Sequence, residues 1–236
     1  MRIAIMATGG VGGVFGAKLA AAGEDVHFIA RGAHLEAIRQ AGLRIETDDG
    51  PVVVADAQAT DDPEAIGPVD VVVFAVKLWD TESAADMCRP LLGPETVVIP
   101  FQNGVTATET IAGILGEAHT GGGVSRVSSY IEAPGVIRQV GAFASLSFAE
   151  ADGGRSPRME AFLAACENAG IDANIPSDIT RAVWQKFIFL VALSGLTTAA
   201  RSPVKLVFEG PEGLSALENS MAETAAVGRA PVAYTH

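Results

Sequence analysis

Residues 2–31 read RIAIMATGGVGGVFGAKLAAAGEDVHFIAR, and this stretch decides the fold. Arg2-Ile3-Ala4-Ile5-Met6 is a short apolar run behind a basic residue and reads as a strand. A glycine-rich turn follows, Ala7-Thr8-Gly9-Gly10-Val11-Gly12-Gly13, whose small residues let backbone come close to a pyrophosphate. A helix is predicted from about Val11. It carries Gly12, Gly16 and Ala20 at steps of four, which let it lie close on a sheet, and its N-terminal N–H groups face the anion. Gly23 ends the helix, and Val26-His27-Phe28-Ile29-Ala30 is the next apolar strand. Strand, glycine turn, helix and strand at this distance predict half of a dinucleotide site.

The fingerprint G-x-G-x-x-G would fall on positions 7, 9 and 12, and position 7 is Ala7. Alanine fits there with a negative φ, so the turn is expected intact but slightly altered. The second strand runs into Ala30-Arg31, where an NAD site places an acid for the ribose 2′-hydroxyl. NADP is therefore the expected cofactor, with Arg31 on its 2′-phosphate.

The chain has 236 residues, 49% of them hydrophobic, with a net charge of -12 and a pI near 4.7. That balance argues against nucleic acid and anionic membranes as partners, because binding a phosphate backbone needs a basic surface. Two cysteines, Cys88 and Cys166, suggest reduced thiols and a cytoplasmic location, and neither reads as catalytic. No basic-then-apolar leader is found and no apolar run is read as reaching transmembrane length. His27, His34, His119 and His236 lack metal-ligand spacing, so no metal site is expected.

Val69 to Val76 and Thr96 to Ile99 are nearly continuous apolar runs, as central parallel strands covered on both faces should be. In a doubly wound sheet the carboxyl ends of the strands form the ligand crevice, which brings the Gly9 turn, Arg31, Lys77 and Asn103 to one edge. Leu43 to Glu46 and Val52 to Val54, joined by Asp49-Gly50, read as an antiparallel excursion. After the turn at Pro134-Gly135, strands near Val136 to Gln139 and Ser145 to Phe148 are expected to close the sheet in antiparallel fashion. Pro176-Ser177-Asp178 stops this domain and caps a long helix from Ile179 to about Ala200, apolar enough to be expected mostly buried.

With Gly9, Gly12, Arg31, Lys77-Leu78-Trp79-Asp80, Gln102-Asn103-Gly104 and Trp184-Gln185-Lys186-Phe187 in this order, the sequence resembles the ketopantoate reductase (2-dehydropantoate 2-reductase) family along nearly its whole length. The resemblance implies an α/β fold: a Rossmann-type doubly wound sheet over residues 1–176 that binds NADPH, then a smaller all-helical substrate and dimerisation domain over 177–236. It implies reduction of a small 2-oxo acid, most directly 2-dehydropantoate to pantoate in pantothenate biosynthesis, and a possible homodimer. By position, the residues around the cofactor are Ala7, Thr8, Gly9, Gly10, Val11, Gly12, Arg31, Lys77 and Asn103. Those around the substrate are Asn103, Lys186, Leu190 and Ser194. Lys186 takes the place of the general acid, and an ammonium with an ordinary pKa near about 10.4 can donate to the oxygen that gains charge as hydride arrives. Trp79 and Trp184 are expected to be packing residues.

The pattern departs in two places. Family members carry two asparagines after the lysine, at positions where this chain has Leu190 and Ser194, and this change bears on which 2-oxo acid fits. They also continue beyond the helix resembled by Met221 to Ala230, with a serine and a glutamate that reach the substrate. Pro231 to His236 resembles none of that, and the chain is expected to be a shortened member, either a working reductase or an NADP-binding relative without a complete site.

Overall fold

The computed structural model describes residues 1–230; the ending Pro231–His236, with His236, lies outside the described residues. The chain opens with β1 (Arg2–Met6), α1 (Gly10–Ala21), β2 (Asp25–Ile29), α2 (Gly32–Ala41), β3 (Leu43–Glu46), β4 (Val52–Val54), β5 (Gln58–Thr60) and β6 (Val69–Phe74). It continues with α3 (Thr81–Met87), β7 (Leu92–Pro100), α4 (Ala107–Leu115), β8 (Gly121–Ala133), β9 (Val136–Glu150), α5 (Pro157–Asn168) and β10 (Asp172–Asn174). Three helices end it: α6 (Ile179–Ala200), α7 (Val204–Phe208) and α8 (Pro211–Arg229).

Five strands pair in the order β5-β2-β1-β6-β7, all parallel. Because side chains alternate across a strand, the apolar runs serve two cores at once. Ile3, Ile5, Phe28, Val71, Val73 and Ile99 pack with Phe15 and Leu19 of α1. Ala4, Met6, Ile29, Val72, Phe74 and Val98 pack on the other face with Ala84 and Ala85 of α3 and Ile111 of α4. The helix α1 comes close because Gly12 and Gly16 lack a side chain: a Cβ on Gly16 would sit 2.7 Å from Ile5 and 2.8 Å from the Phe28 ring.

The later strands do not close this sheet. They form a second one, β10-β9-β3-β4, with β8 antiparallel on β9, and one bridge, Val98 to Thr120, links the two among the described residues. The two short runs expected in this region are one strand, β9, that pairs parallel with β3. The reason is sequestration of the excursion: Leu43 and Ile45 of β3 are fully buried with Ile137 and Phe148 of β9 in the core beneath α1.

Ala7 departs from expectation. Its φ is +75°, in the left-handed region, where the Cβ is strained. Tertiary bonds impose this: the N–H and hydroxyl of Thr8 both donate to the Ile29 carbonyl, at 2.9 and 3.0 Å, and the Ala7 carbonyl lies where a Cβ on Gly12 would be. Replacing Ala7 by glycine relieves about 1–2 kcal/mol of strain against about 0.5–1 kcal/mol of added chain entropy. We expect a net gain of roughly 0.5–1 kcal/mol, read as a melting temperature about 2 °C higher in the unliganded protein.

The residue contacts divide the chain after Ile179, with Met1–Ile179 as one unit and the residues from Thr180 as another. In the second unit Trp184 meets Phe187 edge to face with ring centroids 5.7 Å apart, and Gly228 of α8 leaves room for the indole. Trp184 is therefore a packing residue. Trp79 is not: it is 81% exposed, in a single 3-10 turn beyond the end of β6. The expectation of a buried α6 also fails, since of its residues only Ile179 and Ala192 are buried. Its apolar residues lie all round the helix, while among the described residues the second unit supplies only α7 and α8 to cover them. By length and composition α6 is long and apolar enough to cross a membrane, contrary to the reading of the unbroken runs, because Lys186 interrupts the run without lowering its average hydropathy enough.

Candidate active site

The register of the parallel sheet sets four strand ends in a row: Ile29 beside Met6, Met6 beside Phe74, Phe74 beside Pro100. The ladder runs on past them, with Ala75 N–H donating to Met6 O at 2.9 Å and Phe101 N–H to Phe74 O at 2.8 Å. Arg31, the Ala7–Gly12 turn, Lys77 and Asn103 each follow one of these ends and share one edge of the sheet. Arg31, Lys77 and Asn103 are all exposed.

The glycines of the turn divide by what a side chain would meet. On Gly10 a Cβ would press on the Ser129 carbonyl at 2.7 Å, and on Gly12 and Gly13 it would strike Ala7 O and Ile137. These three are glycines for packing. Gly9 is different: its φ of -89° and ψ of -161° suit any residue, and a Cβ there meets nothing within 4 Å. The space over Gly9 is a cradle, and behind it α1 begins with no side-chain cap and no acid in its first turn. Uncapped amides at the positive end of a 12-residue helix favour an anion. The residues present thus fit the pyrophosphate of a dinucleotide.

The surroundings hold residues that motif reading did not reach. Gln102, half-buried, donates from Nε2 to Val76 O at 3.0 Å and to Thr81 Oγ1 at 2.9 Å, so that it fastens the Lys77 segment beside Asn103. Ser129 of β8 lies over Gly10, with its hydroxyl buried and without a partner among the described residues. His34 bonds to Thr8 O and to Gly135 N–H, 26 and 101 residues away in sequence. Gln102 stands inside a motif quoted from the sequence, but nothing local marks Ser129 or His34: the second sheet brings Ser129 over Gly10 and the Gly135 N–H to His34.

Lys186, Leu190 and Ser194 follow one another at steps of four on α6, a single file along that helix. Lys186 and Leu190 are half-buried and Ser194 is exposed. Cys88 and Cys166 are buried, and burial pushes both thiols up to about 12, which removes them from nucleophilic chemistry. No group of three or more His, Cys, Asp or Glu among the described residues could hold a metal ion.

Residues 3–153 match the family model described as "Ketopantoate reductase PanE/ApbA", more than half of the chain. A 2-dehydropantoate 2-reductase of Mesorhizobium japonicum is 34% identical over 256 residues, covering 97% of this chain and 76% of its own length. The crystal structure of 2-dehydropantoate 2-reductase from Geobacter metallireducens GS-15 superposes with a TM-score of 0.91 at 30% identity, covering 100% of this chain and 77% of that one. A D-mandelate dehydrogenase with NADH and anilino(oxo)acetate, 20% identical with a TM-score of 0.86, shares the fold over 97% of this chain and 75% of that chain. The chain thus spans about three-quarters of the length of these relatives. The glycine turn at a row of parallel strand ends and the match along the sequence agree: this chain belongs to the ketopantoate reductase family of NADP-dependent oxidoreductases acting on CH–OH groups.

Proposed function

We propose that this protein reduces 2-dehydropantoate to pantoate with NADPH, Lys186 giving the proton. The observation that carries the cofactor half is the open cradle over Gly9 in front of an uncapped, acid-free helix start. Residues 1–176 hold NADP, with the Ala7–Gly12 turn at the pyrophosphate, Arg31 at the 2′-phosphate, and Lys77 and Asn103 along the cofactor. Residues 177–236 are the substrate and dimerisation side, with Asn103, Lys186, Leu190 and Ser194 at the substrate. When bound, NADPH supplies hydride to the carbonyl carbon. The Lys186 ammonium gives its proton to the carbonyl oxygen, completing the hydroxyl. We read α6 as this substrate helix of a cytoplasmic enzyme rather than a membrane span, because a charge such as Lys186 at a bilayer centre costs about 2.5–3.5 kcal/mol.

A different 2-oxo acid is the second reading, favoured by Leu190. An apolar side chain where an amide would otherwise bond a substrate hydroxyl suits an acid with an apolar chain. Following NADPH absorbance with 2-dehydropantoate and with apolar 2-oxo acids, beside a Lys186→Ala control, decides the matter. Consumption only with 2-dehydropantoate supports the first reading, and consumption only with the others supports the second.

For Arg31 we expect alanine substitution to weaken NADPH by about tenfold to a hundredfold, as loss of a charge-assisted bond to phosphate does, while NADH changes less than about twofold. Titration of each cofactor into the variant is the measurement. Equal loss for both would remove Arg31 from the 2′-phosphate.

A further inference from the structure

His34 is the third residue of α2, and its half-buried ring joins three elements. The backbone N–H of Gly135, in the turn between β8 and β9, donates to Nδ1 at 3.0 Å. That bond makes Nδ1 an acceptor, so the ring proton is on Nε2, which donates to the Thr8 carbonyl at 2.8 Å. The Gly135 carbonyl in turn accepts from the Arg44 N–H of β3 at 3.0 Å. A continuous line of bonds therefore runs from the second sheet through the imidazole to the residue between strained Ala7 and open Gly9.

We propose that His34 is the positioning residue of the dinucleotide site: as a neutral imidazole it holds the Thr8–Gly9 peptide so that the Gly9 N–H faces the cofactor phosphates. A trans peptide points its C=O and N–H in opposite directions, so anchoring Thr8 O on the ring side directs the Gly9 N–H to the other side. A left-handed Ala7 persists only where surrounding bonds over-determine it, and Thr8 is held at its N–H, its hydroxyl and, through His34, its carbonyl. Only the neutral ring serves. An imidazolium would have two donors, one of them facing the Gly135 N–H, and the line would break.

The charged groups around the ring do not offset an imidazolium. The glycine turn has none, α2 brings Arg31 at its cap and Glu36, the β8–β9 hairpin brings Glu132 and Arg138 paired with each other, and β3 brings Arg44 paired with Glu46. No carboxylate is bonded to the ring among the described residues. Burial accordingly holds His34 below the usual 6.5, outweighing the Thr8 bond. With the folded value lowered, the stability that this group contributes is whole above about 6.5 and is lost as pH falls through the lowered value.

The test is the dissociation constant of acid-stable NADP⁺ for the wild type, His34→Ala, His34→Gln and the double variant Ala7→Gly with His34→Ala. It is measured at about pH 8 and about pH 5.5, on either side of the usual histidine range. At the higher pH we expect His34→Ala to bind about tenfold more weakly, the loss of one bond, and His34→Gln to stay within about threefold, because an amide can donate and accept in the same places. Ala7→Gly should restore part of the loss by removing the strain that His34 holds. On acidification the 2′-phosphate, whose second pKa is about 6, affects every variant alike, so the wild type should lose more than His34→Gln, by a factor that stays below about tenfold because the folded His34 value lies below 6.5. Should His34→Ala fail to fold, the wild type and His34→Gln decide alone. Equal binding by His34→Ala, equal acid loss in wild type and His34→Gln, or tighter wild-type binding in acid would each overturn the role. The proposal rests on the glycine turn as the pyrophosphate site. If Gly9→Asp also binds normally, that assignment has failed; if it does not bind but the His34 variants do, only the positioning role has.

Discussion

Gly9→Asp should abolish NADPH binding and leave the protein as stable as before, or more stable. These two effects ordinarily do not go together. Gly9 has the extended dihedrals of a helix N-cap and a Cβ there meets no atom, so an aspartate enters without strain. Once there, its carboxylate accepts from the first amides of α1 and meets the positive end of the helix, worth about 0.3–1 kcal/mol, or about 1–3 °C in melting temperature. The same carboxylate fills the cradle, takes the amides that a pyrophosphate would use and repels it. We expect the dissociation constant for NADPH to rise at least about a hundredfold, since charge-assisted bonds are lost and a like charge is added. Thermal melting without cofactor and titration with it give both halves. Unimpaired binding in a folded variant would show that the pyrophosphate lies elsewhere, and a large loss of stability would show that Gly9 is glycine for the fold.

Lys186→Ala should lower kcat by about 10²–10⁴, the usual contribution of a positioned general acid, while the NADPH dissociation constant stays within about twofold. An arginine at this position separates charge from proton transfer. Lys186→Arg keeps a cation that can attract the carboxylate of a 2-oxo acid, but a guanidinium does not release its proton in the working pH range. The arginine variant is therefore expected to recover KM without recovering kcat. A rise in KM alone for both variants would make Lys186 a substrate anchor and leave the proton donor elsewhere.

The amino-acid sequence contains the parallel sheet almost outright. Runs such as Ile3 to Met6 and Val71 to Phe74 are apolar at every position because both faces are covered, and a glycine turn between two such runs admits few folds. The row of Arg31, Gly9, Lys77 and Asn103 follows from that, since parallel strands put all their carboxyl ends on one edge. The second sheet does not follow. An apolar alternation marks a strand but not its partner, and the pairing of β3 with β9 joins residues some ninety positions apart, so the later strands left the first sheet open.

Solvent contact and backbone strain belong to the tertiary structure for the same reason. The apolar run of α6 could not tell how much surface would be offered to cover it, nor could the residues around Trp79 reveal its 81% exposure. Ala7 looked tolerable only with negative φ because its own sequence neighbours do not require otherwise; the bonds of Thr8 to Ile29 and His34 do. The sequence alone determined where the central strands of the first sheet lie, which residues share its carboxyl edge and which family the chain resembles, because these rest on local apolar pattern and short motifs. Only the tertiary structure decided which glycine of the turn is open to a ligand and which histidine holds it, because both depend on atoms brought together from distant parts of the chain.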